Sequence, residues 1–364
     1  MVYKSNCRYF RGDIPCKPHK TKNVHCEGCL DYEPTRGKIL IIKLGAAGDV
    51  IRTTPLLIKL KKQFPSSKIY WLTEFPDLVP RNYVDKVIDF KSQECLLTQA
   101  INFDYLFSLD KDYHATALAS IIKARHKFGF ILKNGVPAPI NKKAESKYLT
   151  GLFDDVNKSN KKHYMEEIFE ICGYKFNDEK YVLNLPENKP DFEKLLSLNF
   201  ESKELKHPVI GLNTGCGSRW VSRLWLETNW TELAKLLIKN GFSVLLLGGP
   251  QEDDLNKRIV YKSGAIYLGT FPLSQFAHEI NLCDLVVTQV TMAMHIAIAL
   301  KKKLVLMNNI FNRSEFYMYG LGQIVEPLNK NCLGCFKNSC PEPCMSTITP
   351  ERMLNTVNEV LRMK

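Results

Sequence analysis

The sequence predicts an α/β fold made of two doubly wound domains, and three observations support this prediction. Apolar segments typical of buried strands alternate with amphipathic segments typical of helices. This alternation runs twice along the chain, once before residues 184–206 and again from Pro208. The chain has 364 residues and a hydrophobic fraction of 45%, which suits two domains of ordinary size. We therefore expect two parallel sheets that face a cleft.

Composition and pattern divide the chain into four parts. In order, these are a Cys-rich extension (1–36), two doubly wound domains (37–190 and 207–346) and a C-terminal helix (347–364). The extension is polar and rich in Lys, Pro and Cys, so we interpret it as a segment pinned by metal. Residues 184–206 carry two prolines and many charges, which indicates the connection between the domains.

The expected elements of the first domain follow from apolar runs and helical periodicity. Strands are predicted at Ile39–Leu44, Lys68–Thr73, Lys86–Phe90 and Phe103–Leu109. Helices are predicted at Pro55–Phe64, near Ala115–Ala124 and over Glu166–Cys172. The first of these helices places Leu56, Leu57 and Leu60 on one face, and Gly173 ends the last one.

The second domain repeats the alternation. Strands are predicted at Val209–Asn213, Ser243–Leu247, Leu285–Thr288 and Lys303–Met307, and helices at Trp230–Lys239 and Met292–Leu300. Asn240-Gly241 closes the first of these helices, and Gly248-Gly249-Pro250 ends the strand Ser243–Leu247 that follows it.

Charge and apolar content set expectations for partners and location. A formal net charge of +12 favours an anionic partner such as phosphate groups, nucleic acid or an acidic membrane face. The sequence has no apolar run of the roughly 18 residues that span a bilayer, and its N-terminus lacks the apolar core of a signal peptide. We therefore expect a cytoplasmic protein, with peripheral contact to the anionic inner membrane as a further hypothesis.

Eight of the twelve cysteines form two clusters near the ends of the chain. The clusters are Cys7, Cys16, Cys26 and Cys29, and Cys332, Cys335, Cys340 and Cys344. Each contains a Cys-x-x-Cys pair, and four thiolates complete a tetrahedral site, so in a cytosolic chain the pattern favours metal over disulfides. Zinc is the simplest ion, while iron or an iron–sulfur cluster stays open, and His19 or His25 could replace one sulfur. Closed four-thiolate sites are structural, so we assign no chemistry to them.

The segment around Asp49 carries the strongest functional signal. The first apolar strand ends in the turn Gly45-Ala-Ala-Gly48, and a single carboxylate follows before a helix. Ligands of α/β folds gather at the carboxyl ends of strands, which is where Asp49 lies. Asp is also a good helix cap, but Thr54 before Pro55 is the stronger capping signal, because Pro suits the first helical position. We therefore favour a functional role for Asp49.

Two glycine-rich loops of the second domain follow predicted strands. The first begins Asn213-Thr214-Gly215 and carries Arg219 and Arg223, whose guanidinium groups can pair with phosphate oxygens. The second is Gly248-Gly249-Pro250-Gln-Glu252. Taken alone, each loop is equally compatible with a plain turn.

A third loop leads from a strand into a helix at Thr291. Amides at this helix N-terminus, those of Met292 and Ala293, favour a diphosphate, while the side chain of Met292 is assigned to the core. His295 follows one turn later on the same face, although a lone histidine there is more simply a core residue. Because three loops converge at strand ends, we favour a nucleotide pocket.

Together these residues resemble glycosyltransferase family 9, the heptosyltransferase group that builds the core of bacterial lipopolysaccharide. The resemblance covers nearly all of residues 38–345. It rests on Lys43-Leu-Gly-Ala-Ala-Gly-Asp49-Val, on Asn213-Thr-Gly with Arg223-Leu-Trp225, and on Thr291 with His295-Ile-Ala. The Cys-rich ends resemble a subgroup of that family. The resemblance implies two Rossmann-like domains in the GT-B arrangement, an inverting mechanism and no catalytic metal.

The resemblance also implies roles for individual residues. Asp49 corresponds to the general base, and Arg223 stands where the family usually has a phosphate-binding Lys or Arg. The implied donor site comprises Asn213, Thr214, Gly215, Arg223, Gly248, Gly249, Thr291, Met292, Ala293 and His295. The implied acceptor and cleft residues are Lys43, Gly48, Asp110 and Lys111.

One position departs from the family pattern. Val290 stands where the family commonly has an acidic residue that contacts the donor sugar, and an isopropyl group cannot make those hydrogen bonds. Three alternatives follow: the sugar is not heptose, it is held by other groups, or the protein is inactive.

The expected function is transfer of a heptose or related sugar from a nucleoside-diphosphate donor, ADP-heptose first, to a cell-envelope glycan such as lipopolysaccharide core. One alternative is a catalytically degenerate binding or assembly protein. Another is a transferase that uses a different nucleotide sugar or a protein acceptor. A third is a nucleic-acid module with zinc knuckles, which the long doubly wound body disfavours, so we expect no nucleic-acid partner.

Overall fold

The computed structural model describes residues 2–199, 205–329, 332–341 and 344–363. The helices are α1 (Lys17–Lys22), α2 (Ala47–Thr53), α3 (Pro55–Gln63), α4 (Leu97–Ala100), α5 (Tyr113–Ile121), α6 (Lys142–Leu149), α7 (Asp154–Ser159), α8 (Tyr164–Ile171), α9 (Phe192–Asn199), α10 (Glu227–Lys239), α11 (Asp253–Ser263), α12 (Leu273–Asn281), α13 (Met292–Ala299) and α14 (Pro350–Arg362). The strands are β1 (Lys38–Ile42), β2 (Lys68–Thr73), β3 (Lys86–Asp89), β4 (Phe103–Ser108), β5 (Ala124–Lys133), β6 (Val136–Pro139), β7 (Val209–Asn213), β8 (Ser243–Leu247), β9 (Ile266–Tyr267), β10 (Leu285–Gln289), β11 (Lys303–Met307) and β12 (Gly322–Val325).

These elements form two compact units, and each unit is assembled from separate segments of the chain. The first unit comprises the described residues up to Gly45 together with Thr53–Glu145 and Ile168–Glu179. The second comprises Ala46–Arg52, Ser146–Glu167 and the described residues from Lys180 onward. Helix α2 up to Arg52 therefore belongs to the second unit, although the strand before it and the helix after it belong to the first.

The first unit is built on a six-stranded sheet of order β3-β2-β1-β4-β5-β6. Its strands pair in parallel except β5 and β6, which pair antiparallel. The central strand β1 is fully buried over Ile39–Ile42, as expected for a parallel strand covered on both faces. Leu40 and Ile42 of β1 pack in one apolar cluster with Leu72 and Leu106 from the flanking strands.

The hairpin formed by β5 and β6 was absent from the sequence prediction. The helix expected near Ala115–Ala124 ends at Ile121, and Ala124 already opens β5. Asn134-Gly135 joins the two strands with φ angles of 52° and 78°, the left-handed values that a tight two-residue hairpin turn requires. Strand β6 contains two prolines, which the sheet tolerates because β6 lies at its edge.

The segment after β1 also differs from the expected turn and cap. Helix α2 begins at Ala47, so the second half of the predicted Gly45–Gly48 turn is already helical. Thr54 adopts helical angles (φ −60°, ψ −25°) and makes no side-chain capping hydrogen bond. The predicted cap at Thr54 is therefore wrong, because α2 continues almost directly into α3.

The second unit is built on a fully parallel sheet of order β12-β11-β10-β7-β8-β9. Its core combines apolar residues of these strands with those of α10 and α14. Helix α14 starts at a Thr349 cap, whose hydroxyl accepts a hydrogen bond from Arg352 N at 3.2 Å. Met353, Val357 and Val360 then pack into the same core, which ties the C-terminal helix to this unit.

The predicted α/β class with two Rossmann-like sheets is confirmed. Four predicted strands recur with the same bounds, namely Lys68–Thr73, Val209–Asn213, Ser243–Leu247 and Lys303–Met307. Helix α9 lies inside the predicted 184–206 connection, of which residues 200–204 lie outside the described residues. Within the described ranges, no helix is long and apolar enough to cross a bilayer.

The N-terminal segment contains one short helix, α1, and is tied to the first unit mainly by polar contacts. Cys7 forms an isolated β-bridge with Pro34. The guanidinium of Arg8 pairs with Glu33 at 2.5 Å and with Asp85. Burial opposes the charge on Arg8, but the two carboxylates more than offset it and raise its pKa. These ion pairs anchor a segment that brings few apolar residues to the core.

Candidate functional site

The site lies at the point where the strand order of the second sheet reverses. Strands β7 and β10 are neighbours, and the chain builds the sheet outward from them in opposite directions. Ligand crevices of open α/β sheets lie at such switch points, outside the carboxyl ends of the strands. The register places Asn213 opposite Thr288, and Asn213 Nδ2 donates to Thr288 Oγ1 (3.0 Å) and to Gly215 O (2.9 Å). The end of β7 thereby fixes the start of the first loop.

A cavity of about 810 Å³ opens there, and every residue that lines it belongs to the second unit. This volume lies within the range of small-molecule and cofactor sites. The cavity brings together most of the predicted site residues: Gly48, Asp49, Asn213, Gly215, Arg223, Gly248, Gly249, Thr291, Met292, Ala293 and His295. The three predicted loops and the Asp49 segment thus share one space.

The remaining predicted residues lie elsewhere. Thr214 is fully buried and donates to Asn256 Oδ1 at 2.7 Å, which holds the first loop against α11. Lys43 and Asp110 lie in the first unit, where they form a buried ion pair with each other. Lys111 also lies in the first unit, and none of these four residues lines the cavity. The acceptor role of the last three stays a prediction.

The N-terminus of α13 lies at the cavity, since Thr291, Met292 and Ala293 line it. Thr291 precedes the helix in extended backbone (φ −141°, ψ 177°), and its hydroxyl lies 3.1 Å from Thr288 Oγ1. Because that hydroxyl makes no capping hydrogen bond, the amides that open α13 keep their capacity for an anionic ligand. Met292 is half-buried and lines the cavity, so the assignment of its side chain to the core is wrong.

Glu252, which was not among the predicted site residues, lies between the two glycine-rich loops. Its Oε2 accepts a hydrogen bond from Gly249 N at 2.9 Å. A Cβ at position 215 would lie 2.2 Å from the carboxylate of Glu252, so a side chain there would displace the Glu252 side chain from this position. The carboxylate thus approaches both loops and lines the cavity with them.

Arg223 lies at the cavity wall but is committed to backbone carbonyls. Its side chain is buried and donates to Cys216 O at 2.6 Å and to Val290 O. Burial lowers the pKa of Arg223, against a smaller opposing effect of the Cys216 thiol. The guanidinium therefore joins the first and third loops. Arg219 is exposed, lies over the Trp220 ring at 5.3 Å and also lines the cavity.

Asp49 lies in the first turn of α2 beside Arg52. The Nε of Arg52 is 2.9 Å from Asp49 Oδ1, and its Nη1 donates to Glu315 Oε1 at 2.7 Å. The guanidinium carbon lies 3.5 Å from the centre of the Tyr164 ring. Burial disfavours the charge on Arg52, but Asp49 and then Glu315 outweigh burial and raise its pKa. This pairing keeps a positive charge in the cavity wall next to Asp49.

His295 is a neutral partner in the same wall. Its ring is buried, and Nδ1 lies 3.4 Å from the hydroxyl of Tyr181. Burial, reinforced by the charge of Arg52 and partly opposed by Asp49, lowers the pKa of His295 to about 3. The imidazole is therefore uncharged near neutral pH, so it serves as a hydrogen-bonding group and brings no charge to an anionic ligand.

Aromatic side chains form an apolar part of the cavity wall. They are Trp220, Phe271, Phe276, Phe311 and Phe316. Flat apolar surfaces of this kind suit the stacking of a planar ring. Sequence reasoning missed them because they come from distant segments with no shared motif. Arg52 and Glu315 carried a usable signal, since Arg52 follows Asp49 by one helical turn and Glu315 follows the carboxyl end of β11.

The two cysteine clusters differ from each other in their surroundings. The four N-terminal sulfurs, with His25, line one small cavity of the first unit. In the C-terminal cluster, Asn309 Nδ2 lies 3.4 Å from Cys344 Sγ. Across the described ranges, no three His, Cys, Asp or Glu side chains are arranged to hold a metal ion.

The fold has two Rossmann-like sheets, and one cavity of the second unit brings together a carboxylate, glycine-rich loops and a helix N-terminus. This combination fits a glycosyltransferase. The profile of glycosyltransferase family 9 (heptosyltransferase) matches residues 99–346. This chain belongs to that family and is a glycosyltransferase.

Solved structures show the same fold at low sequence identity. A family 9 glycosyltransferase from Veillonella parvula is 18% identical, with a TM-score of 0.68, over 90% of this chain and 98% of that one. The ADP-heptose lipopolysaccharide heptosyltransferase II of E. coli is 20% identical, with a TM-score of 0.65, over 89% and 98%. The iron-containing dodecameric glycosyltransferase TibC of E. coli is 14% identical, with a TM-score of 0.55, over 90% and 79%. No curated protein sequence matches the chain.

Proposed function

We propose that this protein transfers a heptose or a related sugar, with inversion, from ADP-heptose to a cell-envelope glycan such as lipopolysaccharide core. The observation that carries the proposal is that Asp49, the glycine-rich loops and the α13 N-terminus line one cavity. The named activity of the E. coli heptosyltransferase II, which shares the fold, supports the choice of donor.

Asp49 is the proposed general base. As the acceptor hydroxyl attacks the anomeric carbon, its oxygen forms the new glycosidic bond and its proton passes to the Asp49 carboxylate. Arg52, 2.9 Å from Asp49, favours the ionised carboxylate that must accept this proton. The side chain of Asp49 is about a third exposed, which leaves it accessible to an acceptor.

The leaving group is the nucleoside diphosphate, which takes the electron pair of the broken carbon–oxygen bond. Its growing negative charge is stabilised by the amides that open α13 and by the Thr291 hydroxyl. Arg219, which is exposed and lines the cavity, supplies the mobile positive charge. Arg223 holds the loops in place, because its donors are already engaged by carbonyl oxygens.

The nucleoside fits the remaining surfaces of the cavity. The aromatic wall offers a face for the base, and the Glu252 carboxylate beside the glycine loops can accept hydrogen bonds from ribose hydroxyls. These surfaces suit a nucleoside but do not discriminate among bases, which calorimetry with ADP, UDP and GDP distinguishes.

A second candidate, a binding or assembly protein without turnover, is favoured by one observation. Val290 brings no carboxylate to the third loop, and its carbonyl binds the Arg223 guanidinium. In this case nucleotide would bind and no sugar would be transferred.

Structural metal is a separate part of the proposal. The four N-terminal thiols share one small cavity, and thiolate donors suit zinc, with iron as the alternative that the description of TibC supports. The C-terminal cysteines form the second proposed site. Neither takes part in a reaction step, and elemental analysis of the purified protein tests both.

The net charge of +12 further supports peripheral contact with the anionic inner membrane, where a lipid-linked acceptor would lie. Flotation with anionic vesicles at low and high salt tests this contact.

The decisive experiment compares wild type with Asp49→Asn. Calorimetry with ADP-heptose, ADP, UDP and GDP identifies the nucleotide, and ADP release is then followed with heptose-deficient lipopolysaccharide as acceptor. We expect the variant to bind ADP-heptose like wild type, because Asn keeps the shape of Asp. Its turnover should fall by about 10²–10⁴-fold, because the proton acceptor is lost.

Asp254→Asn is the matched control, since Asp254 is an exposed carboxylate in the first turn of α11 and does not line the cavity. Wild-type levels of turnover in Asp49→Asn would remove the proposed base. Tight nucleotide binding by wild type without any turnover would favour the second candidate.

A further inference from the structure

Three carboxylates line the cavity, namely Asp49, Glu252 and Glu315. The proposed function uses two of them. Glu252 accepts from Gly249 N and approaches the glycine-rich loops, which assigns it to the nucleotide end. Asp49 receives the proton of the acceptor. Glu315 takes part neither in the proposed proton transfer nor in the proposed binding of the nucleotide.

Glu315 ends the 3₁₀ helix Arg313–Glu315, which follows β11. Its carboxylate and that of Asp49 contact the same guanidinium, at Nη1 and Nε of Arg52. The planar group of Arg52 is itself fixed against the Tyr164 ring. The two carboxylates are therefore held one guanidinium group apart.

The chemistry places the transferred sugar next to Asp49. The acceptor oxygen must touch both the Asp49 carboxylate and the anomeric carbon when the new bond forms. The sugar ring that contains this carbon accordingly lies within reach of the group on the other side of Arg52. That group is Glu315, whose side chain is 20% exposed and faces the cavity.

A carboxylate is well suited to this place. Charge-assisted hydrogen bonds from sugar hydroxyls to an ionised carboxylate are stronger than bonds to a neutral acceptor. The bond from Arg52 fixes the orientation of Glu315 before substrate arrives, which lowers the entropic cost of binding. The third loop offers no such group, since Val290 is apolar and its carbonyl is engaged by Arg223.

We infer that Glu315 binds hydroxyl groups of the transferred sugar and so determines which sugar the enzyme accepts. This inference rests on the proposed function, since it takes Asp49 as the base. It assigns recognition of the sugar to the loop after β11, and recognition of the nucleotide to the loops after β7, β8 and β10.

The test separates the sugar from the nucleotide. Calorimetry measures the affinities of ADP-heptose and of ADP for wild type, Glu315→Gln and Glu315→Asp, without acceptor. For Glu315→Gln we expect ADP to bind within about twofold of wild type. ADP-heptose should bind about tenfold more weakly, because a charged hydrogen-bond acceptor is lost. Glu315→Asp should recover part of this loss.

Glu227→Gln is the matched control, because Glu227 also pairs with cations, Arg258 and Lys262, yet does not line the cavity. Thermal unfolding of each variant shows that it is folded. An equal loss for ADP and ADP-heptose, or no loss for either, would overturn the assignment of Glu315. Wild type that binds neither ligand would overturn the proposed function itself, independently of any variant.

Discussion

The two sheets of this protein share one strand order, but different groups lie at the strand ends where that order reverses. In both, the first strand of the sheet lies beside the fourth, and the chain builds outward in opposite directions. In the first unit the strand ends are closed by a buried ion pair, in which Asp110 accepts from Lys43 and from Leu44 N. In the second unit the corresponding ends open into a cavity of about 810 Å³.

The difference shows that topology alone does not make a ligand site. At the closed switch point, the charges of Lys43 and Asp110 satisfy each other, and Lys43 Nζ also donates to Gly45 O at 2.6 Å. At the open one, glycines and small polar groups line the strand ends, and the first residues of α13 line the cavity. Charged side chains therefore fill the strand ends of the first sheet, whereas the strand ends of the second sheet leave space for a ligand.

The first prediction concerns the buried ion pair between Lys43 and Asp110 at the switch point of the first sheet. Asp110→Asn leaves the Lys43 ammonium buried without its carboxylate, so we expect a loss of about 3–5 kcal/mol in the free energy of unfolding. Urea denaturation measures this loss. Replacing both residues by apolar ones (Lys43→Met with Asp110→Leu) should restore most of the stability, because no uncompensated charge remains. A near-neutral effect of Asp110→Asn alone would show that the pair is dispensable.

The second prediction separates the two arginines at the open switch point. Arg219→Ala should weaken ADP binding by about tenfold and leave the unfolding free energy unchanged, because Arg219 is exposed. Arg223→Ala should instead lower the unfolding free energy by about 1–3 kcal/mol, because it leaves buried carbonyl oxygens without donors. Calorimetry and urea denaturation on both variants give the comparison. If Arg223→Ala weakened ADP binding and Arg219→Ala lowered the unfolding free energy, Arg223 would be the phosphate-binding arginine.

The third prediction concerns a buried carboxyl that lacks the pairing of Asp110. Glu279 on α12 is fully buried, and in the described part of the chain neither of its side-chain oxygens has a hydrogen-bond partner. Burial raises the pKa of Glu279 well above that of an ordinary carboxyl, so the folded state keeps a proton that the unfolded chain releases. Stability therefore falls as the pH rises above the unfolded value.

Glu279→Gln removes this titration while keeping the shape of the side chain. We expect the variant to unfold at a higher temperature than wild type near about pH 8, with the gain shrinking toward about pH 4. Thermal scans across this range measure the effect. A gain that stays constant with pH would mean that ionisation of Glu279 has no part in it.

The sequence predicted what depends on local pattern. Continuous apolar strands, glycine-rich turns and the carboxylate after the first strand are all contiguous signals, and they placed Asp49 and three loops at strand ends. The Asn134-Gly135 hairpin was equally local and was overlooked. The pairing of Lys43 with Asp110 was out of reach, because it joins residues 67 positions apart.

The role of Arg223 shows a second limit. A guanidinium in a glycine-rich loop looks the same in sequence whether it faces phosphate or backbone carbonyls. Only the burial of the side chain and the positions of the Cys216 and Val290 carbonyls distinguish the two cases. The position of Glu315 after β11 was a usable signal, but its link to Asp49 was not, since that link runs through Arg52 and joins distant segments of the chain.

Helix α2 has a consequence for how such a protein can be recombined. The helix carries Asp49 but is grouped with the second unit, and a Cβ at Gly48 would lie only 2.6 Å from His295 Cδ2. A crossover in the connection at 184–206 would pass the glycine-rich loops of the second unit to a new partner without Asp49, the proposed base. It would also place another protein's residue at position 48 against the His295 ring, where any side chain would collide with the ring. Exchange of whole halves should therefore produce nucleotide binders more readily than transferases, unless the partner brings a glycine and an aspartate in the same turn.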